Sequence, residues 1–351
     1  MKGYIQEEKR NRRHGLWKTV AVWVCIAAAL ALFGVGVFFL TGWILGLISD
    51  RNIAFIVPDE NYVFLPAEGD GDYYYNFLTE EQKALYESLH RTAEQYAAGE
   101  KQPETESSKG REEYVLGHFR YKDYGLSKNE AQTAVVAFAN DCPSYFFCSR
   151  VNIIYNNRWV APIVAEEFAE HAAVAAMQEK IDAGVAQVAS LLEGKESEAA
   201  RFAAIYECVL ASTEYVYDKG GEAVLDGYTC SIAGVLDGDE STGSICQGYG
   251  RAVLYLCNLF DIDCLYVTSK AINHAWNVAE IGGAWYYADA TNDDSPFAST
   301  WEYTYYCLCS ESEFWALFGR EEPAIDGPED GIDWLGELPP LSQAGYRVYE
   351  A

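Results

Sequence analysis

The chain has 351 residues, half of them hydrophobic, with 26 Tyr, 16 Phe and 9 Trp. That composition argues against a disordered chain and suffices for one principal domain with a smaller elaboration. The formal net charge of −28 gives a surface that repels phosphate backbones, so no nucleic-acid partner is expected.

Residues 1–18 form a basic tail, with Lys2, Lys9, Arg10, Arg12, Arg13 and Lys18 against Glu7 and Glu8, and from Thr19 to Ser49 no charged residue occurs. Residues 19–48 are long enough to cross a bilayer as a tilted helix, and Trp17 and Trp43 suit its two interfaces. The positive-inside rule then places the tail in the cytoplasm and everything after Asp50 outside, a single-pass cell-membrane protein. A cleaved signal peptide is the alternative, but its apolar region is usually about 7 to 15 residues. Ten cysteines are present, Cys25 in the span and nine beyond it. Outside the cytoplasm, parity allows four disulfides and one free thiol, while buried free cysteines account for the count equally well.

Residues 51–99 read as a juxtamembrane segment whose helix opens at Thr79, with Gln82 completing a capping box and Leu85, Leu89 and Tyr96 on its apolar face. Residues 100–113, EKQPETESSKGREE, are polar and without apolar period, so they are expected to be a linker or long loop. Residues 114–179 form an α+β extension. There Ser127 and Glu130 cap a helix bearing Ala134, Val135 and Phe138, and Pro143 ends it. SYFFCSRVNIIY and RWVAPIV follow as β-rich runs meeting at Asn156-Asn157, a hairpin signal. Helices are expected around 165–193 and 197–212. Residues 180–315 contain the chemistry, and 316–351 a C-terminal extension.

Gly243 and Ser244 break the chain before Cys246, and from Gln247 onward apolar residues recur at helical spacing, so Cys246 sits at a helix N-terminus. The helix dipole and the free first-turn N–H groups there favour an anionic sulfur and could receive an oxyanion. Most other cysteines are better read as buried core. For Cys246 the flanking Gly248 and Gly250, poor choices in a helix, suggest cleared space around the sulfur.

His274 to Ile281 alternates like a strand, Gly282-Gly283 signals a two-residue turn, and AWYYADA returns. If Ile281 faces Ala284, then His274 faces Thr291 and Trp276 faces Asp289, which puts His274 and Asp289 on one face as diagonal neighbours. The carboxylate could then hold the imidazole's tautomer while the other ring nitrogen meets the thiol. The remaining histidines, His14, His90, His118 and His171, lack this geometry. No CxxC pair or HExxH helix occurs, and Cys307 and Cys309 are too close for a finger, so neither a metal nor another cofactor is expected. Asp293-Asp294 reads as a solvated turn rather than a calcium site.

SICQGYGRA and NHAWNVAEIGGAWYYADATNDD, with looser support from EYVYD and YYCLCSESEF, resemble the transglutaminase-like superfamily of papain-like cysteine enzymes, particularly its bacterial surface members. The resemblance covers roughly residues 180–315. It implies an α+β fold in which a cysteine-bearing helix packs on an antiparallel sheet, with Cys246 as nucleophile, His274 as base and acid, and Asp289 as orienting carboxylate. It also implies substrate contacts from Trp276, Tyr228 and Gln247, though Trp276 and Tyr228 could equally be core. Ala288 and Asn292 depart from the family's commoner residues. The expected activity is thioester-forming attack on amides, foremost hydrolysis of surface or cell-wall peptides or proteins. Protein crosslinking and a non-catalytic binding module on the same fold are the alternatives.

Overall fold

Two helices opened by matching caps begin the folded region. The structure is a computed structural model describing residues 53–108, 110–148, 150–155, 159–239, 241–294, 306–320, 325 and 338–346. Helix α1 (Glu80–Ala97) is opened by the Thr79–Gln82 capping box and buries Leu85, Leu89 and Tyr96. Gly99, at φ +74°, follows its end, the left-handed conformation that suits glycine. The expected membrane segment, residues 19–48, lies outside the described residues, among which no helix is long and apolar enough to cross a membrane.

The polar stretch read as a linker is instead a hairpin of β1 (Glu104–Ser108) and β2 (Arg111–Val115). Pairing of Tyr114 and Val115 with Val164 and Ile163 anchors it to a four-stranded sheet in which β1 is an edge. An edge strand exposed to water needs no apolar alternation, which is why periodicity missed it. Helix α2 (Lys128–Asp141) starts at the Ser127–Glu130 box and buries Ala134, Val135 and Phe138. Strands β3 (Arg150–Tyr155) and β4 (Trp159–Val164) form the expected hairpin, though Phe146–Cys148, read as strand, make a 3-10 turn that buries three side chains. The Asn156-Asn157 turn itself lies outside the described residues. Helices α3 (His171–Leu192) and α4 (Glu198–Ser212) follow, then the short α5 (Ala233–Leu236).

The second sheet is antiparallel, in the order β5 (Cys264–Ser269), β6 (His274–Ile281), β7 (Ala284–Ala288). Helix α6 (Cys246–Leu259) packs with one core that includes Tyr266, Ala275 and Ala279. The opposite face carries Val267, Trp276, Val278 and Tyr287 against Phe314 and Trp315 of α8 (Glu311–Leu317). The molecule is therefore α+β, with two small antiparallel sheets and several helices, and Phe55–Ala351 make one compact unit. The segment before α1 is wedged behind the second sheet: the Tyr74 hydroxyl donates to the Tyr266 carbonyl at 2.7 Å, and Asn258 of α6 donates to the Gly69 carbonyl at 3.2 Å. The nine described cysteines are free thiols, all buried except the half-buried Cys208.

Candidate active site

Cys246 is the first residue of α6. The Ile245 carbonyl accepts from Gly248 at 2.8 Å and Tyr249 at 3.1 Å, so the Cys246 and Gln247 N–H groups precede the helical ladder and have no acceptor within it. The start is fixed from behind by Ile245 N–H on the Thr229 carbonyl at 3.1 Å and by the Ser244 hydroxyl on the same carbonyl at 2.9 Å. The glycines do not clear space around the sulfur. A Cβ on Gly248 would collide with the Ser244 hydroxyl and stand 2.6 Å from the Thr229 carbonyl, and one on Gly250 would stand 2.9 Å from the Tyr266 ring. They let α6 approach the loop on one side and the sheet on the other. Asn277, fully buried, locks that approach by donating its amide to the carbonyls of Gly250 at 2.8 Å and Leu265 at 3.2 Å.

The hairpin register is the one its turn demands. Ile281 pairs with Ala284 across Gly282 and Gly283, whose φ angles are +62° and +83°, and the ladder continues to Asn277 with Ala288. It stops there. Asp289 turns the chain into α7 (Ala290–Asp293), so Thr291 does not reach a position opposite His274. His274 instead pairs with Ser269 of β5, and its Nε2 meets Asp289 Oδ2 at 2.7 Å. Cys246 lies close enough to the imidazole to help hold its proton. With Nε2 engaged by the carboxylate, Nδ1 is the nitrogen left for the thiol.

Asp289 is 1% exposed and is positioned from three directions. Its N–H donates to the Tyr306 carbonyl at 3.0 Å, its Oδ1 accepts from the Asn292 N–H at 3.2 Å, and its Oδ2 accepts from the Asn292 side-chain amide. Burial by itself would lower the His274 pKa. The Asp289 charge and hydrogen bond, followed by the contact with Cys246, outweigh it and hold the imidazole up at about 10. The ring is therefore cationic at neutral pH, beside a thiol at a helix N-terminus. Such a set can deliver a thiolate nucleophile and return a proton to a leaving group.

The three residues expected at the substrate are placed differently. Trp276 is 1% exposed, its ring stacked near His274 at 5.9 Å and packed on Phe314 and Trp315, so it supports the imidazole from beneath and lines no cleft. Tyr228 stacks on Phe168 and bonds its hydroxyl to Asp237. Gln247, half-buried beside Cys246, faces Arg251 at 3.4 Å. Tyr215 does lie near the site, bridging to Ser244 two residues before Cys246, and burial is the main cause that pushes its phenol up to about 12. It lies in the EYVYD stretch, a signal that placed it near the site without naming it. Nor is Asp293-Asp294 a solvated turn, since Asp293 accepts from the Tyr206 hydroxyl at 2.6 Å and Asp294 from the Tyr249 hydroxyl. Both carboxylates tie α7 to the helices beside it. A cavity of about 490 Å³ lined by residues such as Leu191, Glu207, Cys208 and Leu236 includes no member of the triad. Among the described residues, two groups of possible metal ligands, Asp70/His90/Cys142 and Glu104/Glu106/His118, likewise include none of it.

No protein-family model and no curated protein matches the chain. Among solved structures it is similar to a candidate cysteine protease from Cytophaga hutchinsonii, at 21% identity over 32% of this chain and 37% of that one, with a TM-score of 0.23. The likeness thus spans little more than a third of the solved protein.

Proposed function

We propose that the chain is a cysteine acyl-transfer enzyme of transglutaminase-like type, hydrolysing amide bonds in surface or cell-wall peptides or proteins. One observation carries this reading: His274 is bonded to the buried Asp289 at 2.7 Å and is near enough to the helix-start thiol of Cys246 to be influenced by it. The Cys246 sulfur attacks the carbonyl carbon, and the resulting oxyanion lies within reach of the Cys246 and Gln247 N–H groups. The His274 imidazolium gives its proton to the departing amine as the C–N bond breaks, leaving a thioester. Water then attacks with His274 as base, the C–S bond breaks, and the thiolate is restored. A lysine amine in place of water would give a crosslink.

The uncharged segment at residues 19–48 and the basic tail before it support a site held outside the cell membrane by one anchor. Hydrolysis is preferred because such a site meets peptide substrates in bulk water. Incubating the protein with a peptide mixture should yield new termini that vanish with Cys246→Ala. Crosslinks and ammonia without new termini would assign it to crosslinking instead, and no turnover together with retained peptide binding would make it a binding module.

A further inference from the structure

Asp70, His90 and Cys142 come from three separate segments and meet inside the layer built by α1 and α2. His90 is within α1, Cys142 caps the C-terminus of α2, and Asp70 lies in the loop ahead of α1. All three are buried, and one possible ligand atom of each lies within 4.8 Å of those of the other two. The side chains bonded to them are neutral. Ser144 donates its N–H and hydroxyl to Asp70, each at 2.8 Å, the Tyr86 hydroxyl meets Cys142 Sγ at 3.2 Å, and Tyr62 and Tyr145 flank His90. Asp141, the residue before Cys142, is also buried and accepts from the Tyr74 and Tyr75 N–H groups at 3.2 and 2.9 Å. A carboxyl and a thiol buried together are costly as anions, and where such groups are kept charged they are paired or bound to a metal.

The ring orientation of His90 points the same way. The Tyr62 hydroxyl can donate to Glu94 at 3.3 Å, which leaves its oxygen to accept the His90 Nδ1–H at 2.7 Å. The lone pair then falls on Nε2, which accepts from the Tyr145 hydroxyl at 3.2 Å, the position a metal would take. An imidazole whose outward nitrogen donates while its inward nitrogen carries a lone pair is arranged as a metal ligand.

We propose that Asp70 Oδ, His90 Nε2 and Cys142 Sγ form a closed, structural zinc site, with the Tyr145 hydroxyl or a water in fourth place. One carboxylate, one imidazole and one thiolate in a tetrahedron suit Zn²⁺, and bonds of about 2.0 to 2.3 Å require the ligands to draw in by about 1 Å. Cys142 binds as thiolate and yields its proton to solvent. The ligands are far apart in sequence, so no local spacing announces them. Such a metal would staple α1, α2 and the loop leading to Tyr74, the residue that braces β5 of the catalytic sheet.

The full chain, stripped with a chelator and titrated with Zn²⁺ alone, is expected to take up one equivalent and to melt at a higher temperature. Cys142→Ser and His90→Gln should each weaken binding by at least about tenfold. Should those variants fail to fold, Co²⁺ added to the Cys246→Ser variant decides: a sulfur-to-cobalt charge-transfer band is expected, because Cys142 supplies the thiolate. Loss of that band with Cys246→Ser, or no equimolar uptake by the stripped chain, overturns the site.

Discussion

Asn292 holds Asp289 twice: its backbone N–H bonds one carboxylate oxygen at 3.2 Å, and its side-chain amide bonds the other, the oxygen that accepts His274. The same amide nitrogen stands 3.3 Å from His274 Nε2. Asn292 is thus a positioning residue for the imidazole. A hydrogen bond to a charged group contributes about 1.5 to 3 kcal/mol, so Asn292→Ala should lower kcat by about 10- to 100-fold while KM holds. Steady-state kinetics on a cleaved peptide checks this; a change confined to KM would assign Asn292 to substrate binding.

The thiol's reactivity should depend on its neighbour. An unassisted thiol is only a few per cent thiolate at neutral pH, so His274→Ala should slow alkylation of Cys246 about tenfold. Peptide mapping by mass spectrometry would follow Cys246 beside the eight other described cysteines. Equal labelling of several thiols, indifferent to His274→Ala, would remove the ion pair from the mechanism.

The pH dependence has a definite sign. His274 is held up at about 10 against its ordinary 6.5, so its proton favours the folded chain. That contribution is complete below about pH 6.5 and fades as pH climbs through about 10. Asp289→Asn removes the charge that sustains it. The stability difference between wild type and Asp289→Asn in denaturant titrations should be greatest near about pH 6 and shrink toward about pH 10; a difference that grows over that range would contradict the charged pair.

Close packing at the helix start makes Gly248 sensitive. An added methyl meets the Ser244 hydroxyl and, at 2.6 Å, the Thr229 carbonyl, whereas at Gly250 it meets the edge of the Tyr266 ring. Overpacking against backbone costs about 1 to 3 kcal/mol. Gly248→Ala should approach the upper figure in chemical denaturation and Gly250→Ala the lower.

That Cys246 opens a helix and that His274 meets Asp289 could be read from the sequence because both follow local rules: a glycine-serine break before an apolar helix, and a two-glycine turn whose register carries His274 toward Asp289. The strand register does not extend past the ladder, because α7 begins there and places Asn292, not Thr291, beside the imidazole. Asn277 was invisible for another reason. A polar residue in a strand pattern gives no sign that it will bond a helix carbonyl from a sequence-distant segment. The β1–β2 hairpin was hidden because its outer strand buries no apolar face, and its order comes from pairing on through β2 to β4. Trp276 shows the limit of residue type: an aromatic two positions from a catalytic histidine can serve as floor or as wall, and burial decides.

The Tyr74 and Gly69 contacts behind the second sheet bear on how this fold can be inherited. The region bearing Cys246, His274 and Asp289 borrows part of its back wall from a segment more than a hundred residues upstream, through Tyr74 on Tyr266 and Gly69 on Asn258. A gene fusion that transplanted residues 180–315 alone would carry these three residues but leave those faces of β5 and α6 bare, so the two halves of the chain are expected to be retained or lost together.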